Sequence, residues 1–207
     1  MSFQTVRNFE LAIADFYDAP YAVAVDCCTH AIELCLRHTA KPDVSIGIPN
    51  RTYISVPFTL EKLGLKWHWI NRDWKDYYHL EGTDIIDAAV YFKRDTYIPL
   101  SFMCLSFQFK KPLSLGRGGA ILCQYESDYE ALKKMAYDGR LDDQPWGDQS
   151  IDTIGYHYYM TPETAQMGID KLEEIKYQNF RSWSCADYPY LPDMPVFSSQ
   201  WLVNKND

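Results

Sequence analysis

The sequence predicts an α/β domain: a mostly parallel sheet flanked by helices. Two observations carry that expectation. Short apolar, β-branched runs such as Tyr21–Val25 (YAVAV) and Val44–Ile48 (VSIGI) alternate with segments of helical period, as they do where crossover helices join parallel strands. The chain is also large enough for a core. Its 207 residues, 47% hydrophobic and 23% charged, can bury roughly 70% of the extended surface in one or two domains.

The elements follow in order. Thr5 to Phe16 is amphipathic, with Val6, Phe9, Leu11, Ile13 and Phe16 as expected buried positions. Tyr21–Val25 is a buried strand, and a helix opens at Thr29 after a tight turn. Val44 to Ile48 is a second strand, closed by Pro49. Tyr53 to Leu63 is helical, and the alternating Leu65 to Ile70 is a strand. Ile85 to Val90 and Leu100 to Phe107 are further strands, and Gly119 to Gln124 follows a glycine-rich turn. Asp128 to Tyr137 is a helix with Ser127 as its expected N-cap. Gly139 to Gly155 is irregular. Pro162 starts a last helix that runs through Ile175. The expected organisation is an α/β domain over residues 1–180 and an irregular tail over 181–207, where Pro and aromatic residues break the period.

Composition excludes several classes. The fractions above are those of a globular chain, not of a disordered, collagen-like or coiled-coil one. A net charge of −8 opposes unspecific binding to nucleic acid, whose phosphates need Lys and Arg. No apolar run approaches the ~20 residues that span a bilayer, so no membrane partner is expected. The first 20 residues carry acids and no pure apolar stretch, so they do not read as a signal peptide, and a cytoplasmic location is expected. The six cysteines form no C-x-x-C pair, so no metal site is expected and the thiols are read as reduced and buried. Sixteen Tyr and six Trp suit a subunit interface and hint at an oligomer.

In an α/β sheet the ligand lies at the carboxyl ends of strands, here the turns after Val25, Ile48, Val90 and Phe107. Cys27-Cys28-Thr29 stands at a strand-to-helix turn. Free N–H groups there can take an anion, or Thr29 can simply cap its helix. Asp87 ends an apolar strand; it can pair with a protonated ring nitrogen or another cation, or cap a turn. Lys110 and Lys111 follow an apolar strand and precede Gly116-Arg117-Gly118-Gly119. Desolvation can make such a lysine a nucleophilic amine, although two adjacent lysines also make an ordinary solvated turn. The lysines precede the glycines, so this is not a Walker loop. Tyr156 to Thr161 is aromatic and can form a core edge, an interface or a ligand wall.

Five segments, in this order, resemble the motifs of one family: Cys27-Cys28-Thr29-His30-Ala31-Ile32, Pro49 to Val56, Ile86-Asp87-Ala88-Ala89-Val90, Ser106 to Gly119, and Tyr156 to Thr161 followed by Ala165, Gly168 and Leu172. The chain resembles the DegT/DnrJ/EryC1/StrS aminotransferases, fold-type-I enzymes that use pyridoxal 5'-phosphate (PLP), over residues 8 to 180. The resemblance implies that Lys111 bonds PLP covalently and later carries a proton, with Asp87 on the pyridine nitrogen. Tyr53 would stack on the ring. Thr29, the Cys28 amide and Ser106 would hold the phosphate, and His157 would reach it from the other subunit of a homodimer with shared sites. The implied reaction moves an amino group from glutamate or glutamine to a nucleotide-linked keto sugar.

The chain also departs from the family pattern. Only 14 residues, Asn71 to Asp84, separate two strands between which the family has a further strand and helices. Only 35 residues follow Leu172, too few for the family's C-terminal small domain, so a truncated large domain is expected. Val90 stands where His or Gln is usual, Cys28 where Gly is, and His157 and Tyr159 where Asn and Arg are. These departures motivate an alternative, a homologue that binds PLP or a nucleotide sugar as a regulator or partner subunit. A different PLP reaction, such as racemisation or elimination, is a further alternative.

Overall fold

The computed structural model describes residues 2–41 and 43–198. The first helix, α1 (Phe3–Tyr17), buries Val6, Phe9, Ile13 and Phe16. These positions recur at spacings of three and four, so they share one face. Leu11, expected inside, is 68% exposed. It lies two residues from Phe9 and two from Ile13, which turns it to the opposite side of the helix. Strand β1 (Tyr21–Val25) leads into α2 (Cys28–Thr39), which begins one residue before the expected Thr29. Next come β2 (Ile46–Pro49), α3 (Ser55–Leu63) and β3 (Trp67–Ile70).

The remaining strands are β4 (Tyr78–His79), β5 (Ile85–Asp87), β6 (Phe102–Ser106) and β7 (Gly119–Cys123). The last helices are α4 (Glu126–Ala136) and α5 (Pro162–Ile175). Tyr125, not Ser127, is the N-cap of α4. Strand β5 stops at Asp87 rather than Val90, because the Ala89 N–H turns back to the Asp87 side chain and the Tyr91 N–H to Ala88 O. Beyond Arg181 the chain makes two 3-10 turns, Cys185–Asp187 and Pro195–Phe197. The end of the expected tail, 199–207, lies outside the described residues.

The α/β class and its helical flanks are as expected, but the sheet is mixed. Its order is β1-β7-β6-β5-β4, and β2 and β3 form a separate parallel pair. Only β5 and β6 run parallel in the larger sheet; β1–β7, β6–β7 and β4–β5 are antiparallel. The physical reason is the connection. The chain from β6 to β7 doubles back through a glycine-containing loop with no crossover helix, so β7 must run the other way.

The strands are covered on both faces. Val23, Val25, Cys104, Ile121 and Cys123 face the core under α2. Their neighbours Ala22, Ala24, Met103, Leu105, Ala120 and Leu122 face the core under α1 and α5. Side chains that alternate between two buried layers explain why the strands read as continuous apolar runs. Helices α1 and α5 cross closely at Gly168, where a Cβ would stand 2.4 Å from the Phe9 ring. Glu10, on α1, is 3% exposed and is held by the Ala24 N–H (2.8 Å) and Lys133 Nζ (3.0 Å). All six cysteines are free, with Cys28, Cys35, Cys104 and Cys123 buried and Cys27 and Cys185 partly exposed. Among the described residues no helix is long and apolar enough to cross a membrane.

Candidate active site

Sheet register decides which strand ends meet. Val25 pairs with Gly119, and Gly119 pairs with Ser106. Strand β7 is antiparallel to both β1 and β6, so the carboxyl ends of β1 and β6 lie at one edge, on either side of Gly119. Strand β5 is parallel to β6 with Asp87 opposite Cys104, which places Asp87 at that same edge. A cavity of about 430 Å³ opens there. Its walls include Cys28, Thr29, Tyr53, Asp87, Ser106 and Lys111.

One end of the cavity is formed by the start of α2, with Cys27, Cys28 and Thr29 in its wall. Helix α2 begins at Cys28, and the side chain of its N-cap, Cys27, makes no capping bond. The first turn of α2, with its positive dipole end, thus stands at the cavity wall without a side-chain cap. The Thr29 and Ser55 hydroxyls lie 2.8 Å apart beside it. Gly119 makes this packing possible, because a Cβ there would stand 2.6 Å from both the Cys27 carbonyl carbon and the Cys28 nitrogen. No larger residue fits between β6 and the start of α2 without moving backbone.

Two cations lie close by. Arg117 donates to Asp26 Oδ2 at 2.7 Å, and His30 Nδ1 lies 2.6 Å from Asp26 Oδ1. Burial alone would lower the His30 pKa, but its hydrogen bonds to Asp26 and Cys27 prevail and bring it up to about 9. His30 is therefore an imidazolium at neutral pH, and this corner has a net positive charge.

Asp87 is 6% exposed. Its Oδ1 accepts from the Ala89 N–H at 3.0 Å, and its Oδ2 accepts from the Tyr78 hydroxyl at 2.6 Å. Burial pushes its pKa up, against the Tyr78 hydrogen bond, the Ala89 amide and the Lys111 charge. No cation among the described residues forms an ion pair with it. Lys111 lies in the loop after β6, with its N–H bonded to Gln108 O. Its Nζ has no ion-pair partner among the described residues and stands 5.5 Å from the Trp183 ring. Burial pulls the Lys111 amine below its ordinary range, while Asp87 and Cys28 oppose that shift. Lys110 also borders the cavity but is exposed over the Phe109 ring.

The structure therefore brings Cys28, Thr29, Tyr53, Asp87, Ser106 and Lys111 to one cavity. His157 is outside it: its side chain is 71% exposed and pairs with Asp138 at 3.1 Å. Sequence reasoning missed Tyr78, Trp74, Trp183, Asp187 and Tyr188, which complete the walls. Trp183, Asp187 and Tyr188 arrive on the segment beyond α5, which is tied down by the bonds Asp76 N–H to Trp183 O and Cys185 N–H to Trp74 O. The concentration of aromatics in this segment was the available signal, but it gave no direction.

The donor set suits PLP. A buried carboxylate without a cation among the described residues matches a protonated ring nitrogen, a desolvated amine without an ion-pair partner among them matches an aldehyde, and a helix start without a side-chain cap matches a phosphate.

A family model described as the DegT/DnrJ/EryC1/StrS aminotransferase family matches residues 1–91 and 99–188. No curated protein matches the chain. Among solved structures, 3-amino-5-hydroxybenzoic acid (AHBA) synthase is similar with a TM-score of 0.71 and 21% identity, covering 84% of this chain and 57% of that one. The sugar aminotransferase CalS13 from Micromonospora echinospora has a TM-score of 0.65 and 18% identity, covering 82% and 60%. Spr1654 from Streptococcus pneumoniae in its PLP-form has a TM-score of 0.69 and 16% identity, covering 82% and 59%. These likenesses show the fold, and the chain spans less than two thirds of each of these structures.

Proposed function

Because the chain belongs to the DegT/DnrJ/EryC1/StrS aminotransferase family, we propose that it binds PLP in this cavity and transfers an amino group. The donor we propose is glutamate or glutamine and the acceptor a nucleotide-linked keto sugar. The observation that carries the reading is that Asp87, a buried carboxylate, and Lys111, a desolvated amine, share one cavity and neither has an ion-pair partner among the described residues.

Bound there, PLP would supply an electron sink for bonds broken at the carbon that carries the transferred nitrogen. Asp87 would accept from the ring N–H and keep that nitrogen protonated. The Cys28 amide, Thr29 and Ser106 would orient the phosphate, with Arg117 and His30 adding positive charge. Tyr53 would cover the ring face. Lys111 would be the covalent anchor. Once released, its Nζ would be the base that carries a proton between the two carbons flanking the transferred nitrogen, a role that suits an amine whose pKa burial lowers. Trp74, Trp183 and Tyr188 screen these groups from water and strengthen their electrostatics. His157 faces away from its own cavity, which suits a homodimer in which it reaches the partner's phosphate. Six free thiols suit the reducing cytoplasm.

The test is spectroscopic. The protein loaded with PLP should show a visible absorption band, and borohydride should fix the cofactor to Lys111. Glutamate should convert the band to that of the pyridoxamine form. A borohydride-fixed cofactor on Lys111→Ala would overturn the site assignment, with Lys110 the next anchor. A loaded protein whose spectrum ignores both amino donors would favour the binding-only alternative.

A further inference from the structure

Tyr78 is not accounted for by the motifs above. It lies on β4, in the 14-residue segment Asn71–Asp84, and pairs directly with Asp87 across the antiparallel β4–β5 ladder. It is 6% exposed. Its hydroxyl also bonds the Thr52 hydroxyl. Proton counting sets the direction of both bonds. An ionised Asp87 only accepts, so Tyr78 donates its single proton to Oδ2. Tyr78 then has only lone pairs left for Thr52, so Thr52 donates to Tyr78. The result is a one-way relay, Thr52 to Tyr78 to Asp87, ending on the carboxylate expected to meet the cofactor.

We propose that Tyr78, supported by Thr52, is a positioning residue that fixes the Asp87 carboxylate in its ionised form and in one orientation for a cationic ring nitrogen. This rests on the PLP reading above. Asp87 is buried opposite Cys104, with Cys28, Tyr188 and Lys111 as the other titratable groups that act on it, and burial of this kind drives a carboxylate to take up a proton. A protonated Asp87 would compete with the ring N–H as a donor and lose its charge. Two fixed donors, the Ala89 amide on Oδ1 and Tyr78 on Oδ2, oppose this, as does the Lys111 charge, which neither variant below removes. They occupy one lone pair on each oxygen and leave the others for the ring. Both donors are neutral, so the carboxylate's charge stays available to the cofactor. Geometry explains why Tyr fits here, because a ring-length side chain on a short edge strand reaches the directly opposed residue on β5.

The experiment has two readouts. The first is PLP binding followed by absorbance across pH. In Tyr78→Phe the acid limb of binding should move up by about one to two pH units, the shift equivalent to one hydrogen bond to a charge. Thr52→Val should move it the same way by less, and Thr52→Ser should restore the wild-type limb. The second readout needs no cofactor: carbon-13 NMR titration of the Asp87 carboxyl in the unloaded protein, with its midpoint higher in Tyr78→Phe and in Thr52→Val. An Asp87 midpoint unchanged in both variants would overturn the proposal, whatever PLP does. Failure of the wild-type protein to bind PLP, with the midpoint shifts present, would overturn the cofactor reading and leave the relay standing. If Tyr78→Phe does not fold, the Thr52→Val and Thr52→Ser pair decides by the same measurements.

Discussion

Gly119→Ala is the sharpest structural test of how the fold builds the cavity. The added Cβ would lie 2.6 Å from the Cys27 carbonyl carbon, 2.6 Å from the Cys28 nitrogen and 2.9 Å from Leu105 O. Ordinary contact begins at 3.4 Å, so the start of α2 must retreat by roughly 0.8 Å. All three neighbours are backbone, so no rotamer change relieves the clash. Overpacking of this kind costs about 1–3 kcal/mol. In a domain of this size that lowers Tm by roughly 2–4 °C per kcal/mol. The same retreat moves the Cys28 N–H off the proposed phosphate position by more than the ~0.5 Å tolerance of a preorganised site. PLP affinity should therefore fall about tenfold or more, beyond what the stability loss explains. Urea unfolding and PLP titration measure the two effects. Gly147→Ala is the control, since nothing among the described residues lies within 4 Å of its added Cβ. A Gly119→Ala protein with wild-type Tm and wild-type PLP affinity would refute the reasoning.

Two other outcomes are expected. His157→Ala should weaken PLP binding only where the protein is dimeric, so affinity measured across a dilution series should fall more steeply in wild type than in the variant; equal slopes would remove His157 from the site. His30 has a pKa raised to about 9 from 6.5, so its charged form stabilises the fold fully below about pH 6.5, and the gain disappears as pH rises through about 9. The imidazole is partly open to solvent, and after that discount the contribution is on the order of 1 kcal/mol. The stability gap between wild type and His30→Gln, from urea unfolding at several pH values, should close between pH 7 and 10. A constant gap would contradict this sign.

Much of the candidate site can be read from local sequence. Asp87, the Lys110-Lys111 pair and Thr29 stand at strand ends, and strand ends in an α/β sheet gather at one edge. The roles of Ser106 and of Lys111 rather than Lys110 were legible only through the family resemblance. The wrong expectations were about direction. Leu11 was counted as buried because it is apolar, yet the burial of a helical residue depends on its angle as well as its type. The sheet was expected to be mostly parallel because strands alternated with helices, but the β6–β7 connection carries no helix and reverses the chain.

By itself the sequence determined the class and the order of the motifs, because periodicity is a local property, and the family resemblance pointed to Asp87 and Lys111 as acid and amine. Tertiary structure alone decided that Tyr78 faces Asp87, that Gly119 separates β6 from α2, and that Trp183 and Tyr188 close the cavity from the far end of the chain. Each of these depends on register between strands or on the return path of a loop. Those are set by packing summed over the whole core, and no short window of residues contains that sum.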